Sequence, residues 1–188
     1  MSLFLTHNRI CNMTMKSQYS LILLALCLAV VGCKHRYVAS EYPITPDRIS
    51  ATKIEGGKDG VRIVAGKASD TKIDLGNVGV HHYYGTHQQL TDAIVKQLAS
   101  ELRSRGVENV SSANKKVEVA VTDSNFESGM WRIAANLKFT VKLGDAKPME
   151  LGVRNGSPGT VARSYNGAVA LAVIEILNNQ DVLNYLQN

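Results

Sequence analysis

Three groups of residues in this chain have types and spacing that could do chemistry. The first is Cys33, which closes the run Val30-Val31-Gly32-Cys33. A thiol behind a small residue is an accessible nucleophile. The second is His81-His82-Tyr83-Tyr84, with His87 close behind. Imidazoles and phenols serve as metal ligands or proton carriers. In an extended segment, though, His81 and His82 point to opposite faces, and no carboxylate adjoins them. An aromatic-rich entry to a helix accounts for the same residues, so a metal site at His81, His82 and His87 stands as the weaker reading. The third group is electrostatic. Arg132, Lys138 and Lys142, with Asn136 and Thr140, fall on the polar side of one predicted strand. They could meet an anionic partner such as lipid headgroups or glycan; a solvated sheet face is the plainer reading.

Around Cys33 the pattern is dense. Leu21 to Val31 is an uninterrupted apolar run of eleven residues. A spanning helix needs roughly 20, so the run matches the apolar core of a secretory signal, with Lys16 as its positive flank. Met15-Lys16 is a better start than Met1, which makes residues 1–14 a candidate mis-assigned extension. The Val30-to-Cys33 junction resembles the bacterial lipobox, in which the cysteine takes a diacylglyceryl group and becomes the first residue of the mature chain. Lys34 then implies the outer membrane, because an Asp after the cysteine commonly retains such proteins in the inner membrane.

Composition narrows the alternatives. Apolar residues make up 45% of the 188, enough for one domain with a sizeable core. The chain carries +5, and loss of Arg9 and Lys16 with residues 1–32 leaves 19 basic against 16 acidic residues. An excess of +3 without a block of like charge gives no support to nucleic-acid binding. Cys11 and Cys27 precede Cys33, so the mature chain would hold one cysteine. That excludes a disulfide framework and equally argues against a Cys-based zinc site. Gly56-Gly57 and Asn155 to Gly159 lack phosphate-loop spacing. There is no Gly-x-Ser-x-Gly elbow and no His-Glu-x-x-His helix. No catalytic residue and no cofactor is expected, and the chain reads as a non-enzyme.

The elements that must position these residues follow from periodicity. Residues 33–60, with Pro43, Pro46, Gly56, Gly57 and Gly60, read as a lipidated N-terminus and flexible linker. Residues 61–188 read as a single periplasmic domain that folds alone. Val61 to Val64 is a strand, and Ile73, Leu75, Val78 and Val80 form a less regular one. Leu90, Ile94, Leu98 and Leu102 give a helix from His87 to Arg105 one apolar stripe, with Thr86 as N-cap and Gly106 as terminator. Val117, Val119 and Val121 alternate with other residues, and Thr122 to Met130 reads as a polar connection. From Trp131 to Leu143 every odd position is apolar, which predicts a long strand with one buried and one wet face. Met149, Leu151 and Val153 continue on a third strand, followed by a loop at Asn155–Gly159. Asn166 is expected to cap a helix through Leu177, and Asp181 a last helical turn. The prediction is α+β: an antiparallel sheet of about four to five strands with two main helices packed on one face.

Gly60-Val61-Arg62-Ile63-Val64, the helix ending at Arg105-Gly106, the long strand pair and the run from Ala168 to Leu186 together resemble the YajG-like family of small bacterial lipoproteins. The resemblance implies an outer-membrane lipoprotein facing the periplasm, held by its lipid anchor, and it brings no catalytic residue. A binding or assembly role toward another envelope protein, lipid or glycan is the leading expectation. An accessory role in lipid or lipopolysaccharide transport, and a metal-binding or enzymatic domain centred on His81–His87, are the alternatives.

Overall fold

The computed structural model describes residues 32–50, 54, 59–129 and 132–187. Leu21 to Val31, the first half of the lipobox and Trp131 lie outside the described residues.

The core is built on the longest alternation in the sequence. Strand β6, Ile133–Leu143, buries Ala135, Leu137, Phe139 and Val141 on one face. It pairs antiparallel with β5, Lys116–Ser128, on one side and with β7, Met149–Ser157, on the other. A fourth strand, β2, Arg62–Ala65, joins β5 in parallel, giving the order β2-β5-β6-β7. Helix α1, His87–Ser104, lays Leu90, Ile94, Leu98 and Leu102 on the apolar face of this sheet. Helix α2, Val161–Asn178, packs beside it against β6 and β7, and short α3, Gln180–Gln187, closes the end. The predicted α+β architecture is observed, with one correction: the edge strand β2 runs parallel to β5, where the sequence pattern predicts an antiparallel sheet.

The ends of α1 follow local chemistry. Thr86 Oγ1 accepts from Gln89 N at 3.1 Å while Gln89 Oε1 accepts from Thr86 N at 3.1 Å, a complete capping box. At the other end Gly106 takes φ +88°, a backbone that side chains disfavour, and Val107 N reaches back to Leu102 O at 3.0 Å.

Several local expectations are corrected. The polar segment 122–128 is not a connection: β5 runs on to Ser128, because its backbone finds the matching half of β6 after a bulge between Val121 and Asp123. Likewise β7 absorbs Asn155 to Ser157. Asn166 caps nothing. Helix α2 starts at Val161 under Thr160, whose side chain accepts from Arg163 N, and Asn166 lies inside it. The last helix is capped by Asn179, which accepts from Asp181 N at 3.0 Å, rather than by Asp181.

A second sheet has three strands: β1, Cys33–Arg36; β3, Ile73–Val78; and β4, His81–Gly85. Its order is β1-β4-β3, with β1 parallel to β4 and β3 antiparallel to it. It meets the main sheet where β3 crosses the end of β5. Gly76 allows the approach: its φ is +110°, and a Cβ there would overlap the Phe126 ring.

The largest correction concerns the expected linker. Tyr37, Ile49 and Ile54 are each 3% exposed or less, inside the main core. Three side-chain amides hold this strap, those of Asn166 and Gln97 buried and that of Asn178 exposed. Asn166 Oδ1 accepts from Tyr37 OH at 2.7 Å and Ser40 N at 3.2 Å, and its Nδ2 donates to Ser40 Oγ at 2.6 Å. Gln97 Nε2 donates to Tyr42 O at 2.6 Å, and Asn178 bonds Ser50 and Arg48. The folding unit therefore takes in the strap as well as residues 61–188.

Two stability measurements check this arrangement. Phe139→Ala should destabilise by ~3–5 kcal/mol, since Phe139 is fully buried. Asn166→Ala should cost about 1–3 kcal/mol, because it leaves the buried Tyr37 hydroxyl without its acceptor. Urea melts of either variant that overlay the parent would contradict the assigned packing, and a chain of residues 61–188 is expected to melt well below one beginning at Cys33.

Candidate functional site

Cys33 is the first residue of β1, and its thiol is exposed and free. Parallel pairing sets it directly across from His81. Two residues along β1, His35 returns to the same face. The ligating atoms of Cys33, His35 and His81 all lie within 4.8 Å of one another. His35 Nε2 and His81 Nδ1 are 2.9 Å apart, a hydrogen bond between two imidazoles. The His35 ring stacks on Tyr83 at 5.1 Å between centroids.

Of the three histidines expected as a weak metal group, the structure brings only His81 into a cluster. His82, one residue on, is absent from it, as alternation along β4 requires. His87 opens α1 and faces Ser124, with Nε2 and Oγ 3.2 Å apart. Residues His81 to Tyr84 are thus a strand rather than a helix entry. His35 was missed because residues 33–60 read as a linker; once β1 is a strand, the Cys-x-His spacing marks one face. The trio, with mixed sulfur and nitrogen donors, has the chemistry for zinc or copper. This corrects the exclusion of a Cys-based zinc site: one cysteine suffices when two imidazoles are folded beside it.

The basic strand face is dispersed. Lys138 lies 3.7 Å from Asp123, and Lys142 sits in register with Glu118, which Lys116 also holds at 2.8 Å. The Lys116 hydrogen bond, with charge from Lys116 and Lys142, keeps the Glu118 carboxyl below its ordinary range. Arg154 does the same for Glu127 at 2.7 Å. Arg132 lines a separate open cleft with Glu127, Ser128 and Arg154. Arg132, Lys138 and Lys142 therefore make no common positive field.

Unpaired positive charge gathers elsewhere. Lys34, Arg36 and Lys72 line an open cleft of about 400 Å³ with His35, Tyr84, Thr86 and Gln89. The Lys72 ammonium stands 4.1 Å over the Tyr84 ring. Among the described residues none of these three cations has an acidic partner. Two tyrosines that sequence reading left aside, Tyr37 and Tyr165, are buried. Burial pushes the Tyr165 phenol up to about 12, with Asp74 and Asp123 adding to the rise and Ser124 opposing it. Both phenols stay protonated near neutral pH.

Comparison with known proteins gives the fold and little else. No family model matches the chain, and no curated protein matches it. Among solved structures it is similar to the crystal structure of a Xanthomonas campestris protein of the DUF330 family. The two share 14% identity and a TM-score of 0.53, over 81% of this chain and 95% of the other. At that identity the likeness supports the α+β architecture and carries no activity across.

Proposed function

We propose that the chain is the precursor of a Gram-negative envelope lipoprotein, acylated at Cys33 and held at the periplasmic face of the outer membrane. Its role is non-enzymatic: binding or assembly with another envelope component. The observation that carries this reading is the junction itself. Eleven apolar residues and a small residue lead into Cys33, and Cys33 is an exposed, unpaired thiol. Burying acyl methylenes contributes ~0.8 kcal/mol each, so two or three chains make a durable anchor. No helix among the described residues is long and apolar enough to cross a membrane. The YajG-like resemblance supports the same reading from scaffold stretches. The alternative is an accessory lipoprotein of a lipid or lipopolysaccharide transport system.

A second reading has a specific observation behind it. If the thiol stays free, Cys33, His35 and His81 would bind a zinc or copper ion, with a fourth position left for water or substrate. The two readings compete for one sulfur atom. Acylation converts the thiolate donor to a thioether, a poor zinc ligand.

Labelling cells with a radioactive fatty acid should mark the wild type and leave Cys33→Ser unmarked; equal labelling of both would end the lipoprotein reading. For the metal reading, the chain with a free thiol is melted with and without zinc. A real site stabilises by about 2.7 kcal/mol at a hundredfold excess over Kd. That rise should vanish in His35→Ala and His81→Ala and survive in His82→Ala and His87→Ala. A melting temperature indifferent to zinc in the wild type would dismiss the site.

A further inference from the structure

We propose that the end of the three-stranded sheet bearing Cys33 is a membrane-contact surface for anionic phospholipid. This rests on acylation at Cys33 and goes beyond it, because an anchor alone does not orient a domain.

Strand register sets the geometry. At this end one row across the sheet reads Cys33, His81, Val78. The β3–β4 turn follows at once, through Gly79 and Val80. Four large apolar side chains are left exposed among the described residues, and two of them, Val78 and Val80, sit here at 40% and 54%. In the uncleaved chain Gly32, the neighbour of Cys33, lies against the turn, a Cβ on it falling 3.0 Å from Val80 O, so the turn adjoins the anchor residue. An exposed apolar turn beside the acylated residue is placed to enter the same lipid boundary.

The neighbouring residues match the next layer of a bilayer. Lys34 is one residue from Cys33 and Arg36 three, so both backbones lie within ~10 Å of the anchor along the strand. With Lys72 they line the cleft that has no acidic partner among the described residues. A headgroup phosphate is the anion that this depth presents to them. Cations beside an anionic surface gain ~1 kcal/mol each. The strap makes the arrangement rigid: Tyr37 N donates to Tyr84 O at 2.8 Å, and the Tyr37 hydroxyl is tied to Asn166. There is no slack between the lipid and the fold.

The test uses the acylated mature protein reconstituted in vesicles of phosphatidylethanolamine and phosphatidylglycerol. Cys11 and Cys27 leave with the signal segment, so Val80→Cys supplies the sole free thiol for a nitroxide label. Glu150→Cys, at an exposed position of β7, is the reference. The Val80 label should be relaxed by oxygen and shielded from a water-soluble nickel complex, and the Glu150 label should show the reverse. In phosphatidylcholine alone, or with Lys34→Gln, Arg36→Gln and Lys72→Gln combined, the shielding should be lost, each charge lowering the docked population about fivefold. Equal nickel access at both labels, in protein whose mass carries the lipid, would overturn this surface and leave the lipoprotein reading intact. A mass without lipid would overturn both. Shielding indifferent to anionic lipid and to the triple substitution would overturn the assignment to an anionic surface.

Discussion

The side-chain amide of Asn166 is the interaction on which the layout of this molecule depends. It sits inside α2, 8% exposed, where a bare amide would be a liability. Its carbonyl oxygen takes the Tyr37 hydroxyl and the Ser40 amide, and its nitrogen gives to Ser40 Oγ. Once the strap is pinned there, Tyr37 fills the core and β1 is drawn alongside β4. That pairing completes the three-stranded sheet and brings Cys33 and His35 to His81. Gln97 and Asn178 hold the strap farther along, at Tyr42, Arg48 and Ser50, where Pro43 and Pro46 offer no ladder donors.

How legible was this from residues alone? The main sheet was, because every odd position of β6 is apolar and one face must be buried. Helix α1 was, because stripe, cap and terminating glycine agree. The strap was not. Its anchors Asn166 and Asn178 lie more than 120 residues away in sequence, and it has no periodicity of its own. One signal did point to it. Helix α2 buries Ala170 and Ile174 as well as Val169, Val173 and Ile176, so it is apolar nearly all round. Such a helix needs cover on both sides, and the sheet provides one. The candidate site divided in the same way. Cys33 was legible from its immediate neighbours. Its partner His35 was hidden by the linker reading, and the basic residues singled out on β6 turned out to face acids on β5.

The two positive regions differ in what surrounds them, and this decides which could recruit an anion. Across β5–β7, acids and bases interleave on neighbouring strands, and exposed pairs of this kind give little field at a distance. Around β1 the cations Lys34, Arg36 and Lys72 stand with an aromatic ring and an amide for neighbours. Charge left uncompensated in one place, on a chain of nearly balanced composition, is a stronger indication of a partner than the net charge.

The strap also limits how far such a protein can act. A free linker from Lys34 to Gly60 could extend by roughly 90 Å, at ~3.4 Å per residue. A strapped one extends by nothing. A compact domain of this size has a radius of gyration of about 15 Å, so every surface it offers would lie within a few tens of ångströms of the lipid. Under the acylated reading, a partner must therefore reside at that membrane or come to it, and the domain cannot serve as a flexible arm across the periplasm. The order of events is constrained too. A peptidase must grip Gly32–Cys33 as an extended, accessible segment, whereas in the fold Gly32 lies against Val80 and His82. Under the acylated reading, acylation and cleavage come first, with β1 docking onto β4 afterwards. The last step of folding would then be the step that seats the domain on its anchor.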